Sequence, residues 1–383
     1  MLAVLQAAGN VCILLATFMP VYPGLCRTLL YPDSPIENVS RMNEPHNVTI
    51  KDIAQLLKLS VSTVSRALRN STEIKPATRR LVQELARELH YSPNPIALSL
   101  KEKKSKIIGV IVPEIANNFC AATIAGIEDI AYNKGYHVII FQSHERFDRE
   151  VINTQLLASR RIEGLIISLS NETRTYDHLN DTIDKGIPIV MFDRVTDSIE
   201  THKVVANDYY GAYRATEHLI QEGYHNIAHI TIAEYLSITQ KRLNGYLDAL
   251  KKYNIPVRKE WIIHCNFNAA ETEQAIHRLL SSPNRPNALL ASVERLVTGC
   301  MNVLKKMHLR VPDDVALVGF SDNPINHLLS PSLTAIRQPT FDMGQQAAEL
   351  LIELIENKNS VHPPKYKTVQ LETTLDIQAS SLR

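Results

Sequence analysis

Short hydroxyl side chains and arginines share one face of a helix predicted near the amino terminus of this 383-residue chain. They recur at helical spacing, as Ser62, Ser65, Arg66 and Arg69. The opposite face is apolar, with Val64, Ala67 and Leu68. Short side chains let a helix approach base edges in the DNA major groove, and arginine offers a planar set of donors to guanine or phosphate. The face therefore indicates DNA binding, against the alternative of an ordinary amphipathic helix.

Three predicted helices position this face. Thr49 can cap the first helix in a capping box with Asp52, and Ser60 can cap the second after a tight turn. Pro76 takes a first-turn position of the third helix. The apolar stripe predicted for that helix is Leu81, Val82, Leu85 and Leu89. Three such helices can enclose one small core.

A fourth, short helix is predicted to follow. Asn94 can cap it and Pro95 can open it, and the segment continues through Ala97 and Leu100. A helix of this length is unstable in isolation, so it needs a partner to fold.

Residues 48–101 resemble the DNA-binding headpiece and hinge of the lactose-repressor/galactose-repressor (LacI/GalR) family. The resemblance is carried by Thr49, Asp52, Ala54, the run from Ser60 to Leu68, Thr78-Arg79, Tyr91-Ser92-Pro93-Asn94, Ala97 and Leu100. The turn departs from the family pattern, because it reads Lys58-Leu59-Ser60 where most relatives have a glycine. We expect the family framework with an altered turn.

The resemblance implies a role for each residue of the DNA-binding surface. Base edges would be contacted by Val61, Ser62 and Arg66, and phosphates by Ser60, Thr63, Ser65 and Asn94. Paired hinge helices would enter the minor groove, with Leu100 as an apolar wedge that kinks the duplex. The alternative for Leu100 is packing within a linker. The predicted DNA-binding set is completed by Thr49, Arg69 and Ala97.

The charge distribution agrees with this division of the chain. Residues 49–106 contain 12 Lys or Arg and 5 Asp or Glu, whereas the remainder contains 29 and 35. The total formal charge of +1 thus hides a basic amino-terminal module. A basic module is expected to contact phosphates, and the acidic remainder would be repelled by them.

The rest of the chain alternates predicted strands and helices. The apolar runs are Ile107 to Val112, Val138 to Phe141, Leu165 to Leu169, Ile187 to Phe192, Ile227 to Ile232, Ala288 to Ala291 and Val315 to Phe320. Continuous apolar strands predict parallel sheets that are covered on both faces. Gly135 and Gly223 each begin a Gly-Tyr-His sequence between a helix and a strand, where glycine can end the helix in a left-handed conformation. This repeat favours two similar lobes.

From residue 105 onward the sequence resembles the periplasmic-binding-protein-like core of the same family. The landmarks are Ile108 to Pro113 with Asn117-Asn118-Phe119, Arg161 to Ile166, Gly186 to Arg194, Arg242 to Tyr246, Val311 to Val315, Gly319 to Asp322 and Leu329 to Thr334. The predicted fold class is α/β, with a small all-α helix-turn-helix headpiece and a two-lobed core of doubly wound parallel sheets. The predicted domains are the headpiece at 48–93, a hinge helix and linker at 94–104, and the core at 105–383.

In such a core a ligand binds between the lobes at the carboxyl ends of the strands. A carboxylate at Asp193 and a guanidinium at Arg242 would orient a small polar effector, and Phe119 would cover an apolar ring face. Asn117 and Asp322 would add hydrogen bonds. Each residue also has a structural alternative: a turn cap for Asp193, a surface ion pair for Arg242, core packing for Phe119 and a helix cap for Asp322.

Three positions differ from those of many sugar-responsive relatives. Ala291-Ser292-Val293-Glu294 stands where many have an Asn-Asp pair, Ser168 where some have asparagine, and Ser321 where aspartate is common. The polar contacts to the effector are therefore changed. A sugar, sugar phosphate or uronate is expected from family frequency alone.

Other classes of protein find less support. A Gly-x-Gly-x-x-Gly after a strand, a Walker-type phosphate loop and a His-Glu-x-x-His are all absent from the sequence, which argues against an enzyme and predicts no cofactor and no metal. The cysteines show no Cys-x-x-Cys pairing and suit a reducing cytoplasm: Cys12, Cys26, Cys120, Cys265 and Cys300. The alternative function is a solute-binding protein, or an enzyme using the cleft, with an unrelated helical module.

The first 47 residues need a separate interpretation. The first 41 are apolar with no basic residue before Arg27, and the run from Val11 to Met19 is shorter than the roughly 18 residues that suggest a membrane span. We expect a disordered extension or a start codon assigned too early, with Met42 as a candidate start. The predicted partners are operator DNA, a carbohydrate-like effector and a second copy of the chain, without a membrane.

Overall fold

The computed structural model describes residues 48–91, 105–265, 268–358 and 364–383. The predicted extension at 1–47 and the hinge segment, with Asn94, Ala97 and Leu100, lie outside these residues. The chain divides into two compact units, Met1–Pro93 and Asn94–Arg383. Among the described residues, no helix has the length and apolar composition needed to cross a bilayer.

The first unit contains helices α1 (Ile50–Leu56), α2 (Val61–Leu68) and α3 (Pro76–Glu88). Their buried core consists of Ile53, Ala54, Val64, Ala67, Val82 and Ala86. The prediction that Leu81 belongs to the buried stripe was wrong, since Leu81 is 52% exposed. The inward face of α3 instead runs through Val82 and Ala86, four residues apart and so on one side of the helix.

Both predicted caps, Thr49 and Ser60, are present in this unit. The Thr49 N–H donates to Asp52 Oδ2 at 2.8 Å, and Thr49 Oγ1 accepts from the Asp52 N–H, which completes the capping box. Lys58, in the altered turn, has a φ of +50°. A lysine therefore adopts the left-handed conformation in which glycine is usual, and the turn is kept at the cost of some backbone strain.

The second unit holds two six-stranded sheets. Lobe 1 has the strand order β2-β1-β3-β4-β5-β11, with all neighbours parallel; its strands are β1 (Ile107–Val112), β2 (His137–Gln142), β3 (Gly164–Ile167), β4 (Ile189–Phe192), β5 (His202–Ala206) and β11 (Thr368–Leu371). Lobe 2 has the order β7-β6-β8-β9-β10-β12, in which only the β10–β12 pair is antiparallel; its strands are β6 (Ile227–Thr231), β7 (Ile262–His264), β8 (Ala288–Ala291), β9 (Ala316–Phe320), β10 (Thr334–Arg337) and β12 (Thr374–Asp376).

Helices cover both faces of each sheet. Lobe 1 has α4 (Asn118–Asn133), α5 (Phe147–Ser159), α6 (Asp177–Asp184) and α11 (Thr340–Glu356), and lobe 2 has α7 (Asp208–Gln221), α8 (Ser237–Lys252), α9 (Ala269–Leu280) and α10 (Glu294–Lys306). Successive strand residues therefore enter different cores: Leu165 packs into one cluster of lobe 1 and Ile166 into the other. This explains the continuous apolar runs and confirms the predicted α/β class.

The chain crosses between the lobes at three places, after β5, after β10 and after β11.

Gly135 and Gly223 have φ values of +73° and +83°, as expected for left-handed residues that end helices. A glycine pair also sets the spacing of α4 and α11 in lobe 1. A Cβ on Gly344 would lie 2.1 Å from the Thr123 carbonyl oxygen, and one on Gly126 would lie 2.0 Å from that of Phe341.

Candidate functional site

The amino-terminal unit presents the hydroxyl and arginine side chains of α2 on its outer surface. Ser60 caps the helix, and its Oγ accepts from the Thr63 N–H at 3.1 Å. Its hydroxyl also lies 2.8 Å from that of Ser62 and 2.7 Å from that of Thr63. Ser60, Val61, Ser62, Arg66 and Arg69 are exposed, and Thr63 and Ser65 are partly exposed. Thr49 lies at the start of α1, where its hydroxyl belongs to the capping box.

The two arginines of this surface are held by neighbours. Arg69 Nη2 donates to Ser65 Oγ at 3.1 Å, and Arg66 Nη1 donates to Glu73 Oε2 at 2.9 Å. The Arg66 and Glu73 side chains are 56% and 68% exposed, so water screens their attraction. Such a pair orients the guanidinium of Arg66 at small energetic cost. The guanidinium can exchange Glu73 for the edge of a base or for a phosphate.

Sequence reasoning missed the loop that carries Glu73. Arg79, on α3, donates from Nη2 to the carbonyl oxygens of Ser71 at 2.9 Å and Ile74 at 3.1 Å. These bonds fix the loop between α2 and α3, and with it the position of Glu73. The Thr78-Arg79 match to the family pattern was the available signal, but it gave no role for the arginine.

A cavity of about 560 Å³ lies between the lobes of the second unit. It is formed by residues that follow the carboxyl ends of strands in both sheets, as expected for doubly wound folds. The five residues predicted to contact an effector all line it: Asn117, Phe119, Asp193, Arg242 and Asp322.

Asp193 directly follows β4 in a left-handed conformation with a φ of +58°. Asp193 is 9% exposed, and burial raises the pKa of its carboxyl to about 6. Its carboxylate lies 3.9 Å from Arg194 Nε, which is too long for a hydrogen bond. Asp193 is therefore a largely buried hydrogen-bond acceptor in the cavity wall.

Arg242 is also buried, but its guanidinium has internal partners. Asp208 Oδ1 accepts from Nε at 2.7 Å and lies 2.6 Å from Nη2, while the Ser292 carbonyl oxygen accepts from Nη1. The guanidinium carbon lies 3.8 Å from the centre of the Phe320 ring. These contacts hold the group rigidly in the cavity wall, so the surface ion pair considered as an alternative is not what the structure shows.

The remaining predicted residues combine structural and cavity-lining positions. Phe119 packs into the lobe 1 core and also lines the cavity, and Asn117 Oδ1 caps α4 by accepting from the Phe119 N–H at 2.8 Å. Asp322 Oδ1 accepts from the Gln338 N–H at 2.7 Å, on a segment that crosses between lobes. Burial and the neighbouring Glu294 carboxylate raise the pKa of Asp322 to about 7.

Glu294 was noted in the sequence only as a departure from relatives, although it lines the cavity. Its Oε1 accepts from Asn118 Nδ2 of lobe 1 at 3.0 Å and from Asn323 Nδ2 of lobe 2 at 3.1 Å. Its carboxylate thus joins the two lobes. A Glu so soon after β8 could have been ranked as a site residue on position alone.

Comparison with known proteins covers both units. The family model described as bacterial regulatory proteins of the lacI family matches residues 49–94. The model described as periplasmic binding proteins and sugar binding domain of the LacI family matches residues 105–371. The chain belongs to the LacI family. The prediction of a DNA-binding transcriptional regulator is thereby confirmed.

Individual relatives match most of this LacI-family regulator. The repressor PurR of Vibrio vulnificus is 31% identical over 81% of the chain and 92% of its own length. The ribose operon repressor of Haemophilus influenzae is 31% identical over 87% of the chain and 98% of its own length. A solved LacI-family regulator from Enterococcus faecium with bound ribose is 26% identical, covers 72% of the chain and 98% of its own, and has a TM-score of 0.62.

Proposed function

We propose that this chain is an operator-binding repressor that acts as a cytoplasmic homodimer under the control of a small polar effector, with no enzymatic activity. The observation that best supports this proposal is the α2 surface, where a capped helix presents short hydroxyls together with Arg66 and Arg69. A helix of this composition fits the major groove, and two copies would read a near-palindromic site.

The roles on DNA are those that the family resemblance implies. Val61, Ser62 and Arg66, all exposed on α2, would contact base edges. Ser60, Thr63, Ser65 and Arg69 would hold phosphates, with Thr49 at the start of α1. The hinge roles of Asn94, Ala97 and Leu100 stay predictions from the family resemblance.

The interlobe cavity would hold the effector. Asp193 and Asp322 would accept hydrogen bonds, Arg242 would donate from its remaining N–H groups, and Phe119 would pack against an apolar ring face. Asn117 would add a polar contact. A carbohydrate or a similar hydroxylated compound suits this combination. Binding would change how the lobes close and thereby alter the pairing of the hinge segments in the dimer.

Selection of genomic DNA fragments by the full-length protein tests the proposal. Roughly physiological salt suppresses nonspecific phosphate binding, so enrichment of one near-palindromic site is expected. Arg66→Ala should weaken binding to that site by about 1–3 kcal/mol. Arg87→Ala is the matched control, because Arg87 is exposed on α3 rather than on the α2 surface. Failure to enrich any site both without and with added cell extract as a source of corepressor, or equal losses in both variants, would contradict the assignment.

A further inference from the structure

The walls of the interlobe cavity carry more negative than positive groups. The carboxylates are Glu114, Glu145, Asp193, Glu273, Glu294 and Asp322. The cationic or titratable basic groups are His144, Arg194, Arg242 and Arg295. The balance matters because it decides which charge a ligand can carry into a buried site.

The buried cations are already compensated by protein carboxylates. Arg194 Nη1 lies 2.6 Å from Glu145 Oε2, with both side chains largely buried. Arg242 is likewise held by Asp208, at 2.6 Å. Arg295 is exposed, so water screens its charge. An anionic ligand would therefore have to compete with buried carboxylates for these guanidinium groups.

Three other carboxylates on the wall are less closely paired. Asp193 lies 3.9 Å from Arg194 Nε, within ion-pair distance but too far for a hydrogen bond, and Asp322 is bonded through Oδ1 to a backbone N–H. Glu294 Oε1 accepts from the Asn118 and Asn323 amides, but Glu294 Oε2 is buried without a hydrogen-bond donor among the residues that the structure describes. A buried acceptor without a donor is unfavourable, and a ligand that supplies one relieves the cost.

Proximity between two of these groups strengthens the preference. Glu294 Oε1 accepts from Asn323, the residue next to Asp322, and both carboxylates line the cavity. The charge of Glu294 also raises the pKa of Asp322. A ligand carboxylate or phosphate beside them would add negative charge to a largely buried site that already holds carboxylates. A hydroxyl would instead donate its one hydrogen to either carboxylate, and an ammonium group has enough hydrogens to donate to both.

We propose that the cleft takes a ligand that presents hydroxyl or ammonium donors and excludes carboxylates and phosphates, with Glu294 as the residue that sets this selectivity. The inference rests on the proposed function, because it concerns the effector of that same cleft. It narrows the effector from sugars in general to neutral or amino sugars and similar polyhydroxylated compounds, and it removes uronates and sugar phosphates.

Fractionation of a bacterial small-molecule extract on an anion exchanger at neutral pH tests the proposal. Each fraction is added to the full-length protein, and its thermal unfolding and its affinity for the selected operator are measured. We expect the unretained fraction to contain the compound that shifts the thermal unfolding and changes operator binding. A cation exchanger then divides this fraction into neutral and ammonium-bearing compounds. Activity confined to the anion-retained fraction would overturn the inference but leave the proposed function intact. Activity in no fraction, with operator binding unaffected, would overturn effector control itself and this inference with it.

Two variants place the selectivity at one side chain. Glu294→Gln keeps an Oε1 acceptor for Asn118 and Asn323 but replaces Oε2 with an amide donor, so the lobe contact is retained while the ligand acceptor is lost. The compound active on the parent protein should bind Glu294→Gln about tenfold more weakly or worse. The carboxylic acid counterpart of that compound should be rejected less strongly by the variant than by the parent. Glu260→Gln, exposed in the same lobe and outside the cavity lining, is the control. Unchanged affinity and unchanged rejection in Glu294→Gln would refute the role of Glu294.

Discussion

Replacing Asp193 with asparagine should stabilise the ligand-free protein at neutral pH and leave it unchanged in acid. Burial raises the pKa of this carboxyl from 3.8 to about 6, against the opposing effects of Arg194 and Arg242. Asp208 and Glu145 raise it further. Between these two pKa values, the folded protein therefore holds a proton on Asp193 that the unfolded chain has already released. The resulting stabilisation is complete below the unfolded pKa and is lost as the pH rises through the folded value.

The size of the effect follows from the shift of the pKa. At about 1.36 kcal/mol for each unit, a rise from 3.8 to about 6 corresponds to roughly 3 kcal/mol between acid and neutral pH. Asparagine has no charge to desolvate, so the variant should lack this loss. Asparagine also tolerates the left-handed backbone that Asp193 adopts, and the substitution therefore adds no strain. The attraction of both arginines to the ionised side chain is already included in this shift.

Differential scanning calorimetry between about pH 4 and about pH 8 measures the effect, since the two compact units can be followed in one scan. The stability of Asp193→Asn relative to the parent should rise with pH, and most of the rise should fall between the two pKa values. Asp181→Asn, an exposed carboxylate on α6, is the control and should show no comparable trend. A difference between variant and parent that is the same at both ends of the range would refute the reasoning.

Three further perturbations test other parts of the structure. Thr49→Ala removes the capping box and should lower the free energy of unfolding of the headpiece by about 1 kcal/mol in denaturant titrations; an unchanged midpoint would contradict it. Glu73→Gln frees Arg66 and should raise affinity for nonspecific DNA in fluorescence anisotropy, reducing the ratio of specific to nonspecific binding; a higher ratio would show that Glu73 does not restrain Arg66. Gly344→Ala places a Cβ 2.1 Å from the Thr123 carbonyl oxygen and should destabilise the core by about 1–3 kcal/mol on thermal unfolding, whereas Gly299→Ala, whose nearest contact is at 3.4 Å, should not.

Local physical rules explain which elements could be predicted from the sequence. The capping box at Thr49, the Ser60 cap, the left-handed glycines and the apolar strands each depend on neighbouring residues alone, and the structure shows them. Strand β5 was missed because it begins with His202 and Lys203, which look like surface residues. Both are buried in the sheet, where Lys203 Nζ pairs with Asp197 at 2.7 Å and His202 Nδ1 accepts from the Lys367 N–H at 3.1 Å. Strands β11 and β12 are short and join sheets whose other strands are distant in sequence.

The site shows the same division between local and distant information. Asp193 and Asp322 could be proposed because they follow strands, whatever else surrounds them. The state of Arg242 could not, since it depends on Asp208, 34 residues away, and on the Ser292 carbonyl oxygen, 50 residues away. The contact between Asn118 and Glu294 spans 176 residues. Sequence reasoning thus ranked the residues but could not show which charges the protein had already compensated.

The two oxygens of Glu294 connect ligand selection to the arrangement of the lobes. Oε1 accepts from Asn118 of lobe 1 while the residue itself begins α10 of lobe 2, so the carboxylate is part of the contact across the cleft. A donor that binds Oε2 can leave this contact in place and satisfy the Glu294 oxygen that has no donor among the described residues. An anion in the same position would repel the carboxylate and weaken the bond to Asn118. Ligand charge and lobe contact are therefore coupled through one side chain, which makes the lobe contact sensitive to the chemistry of whatever enters the cavity.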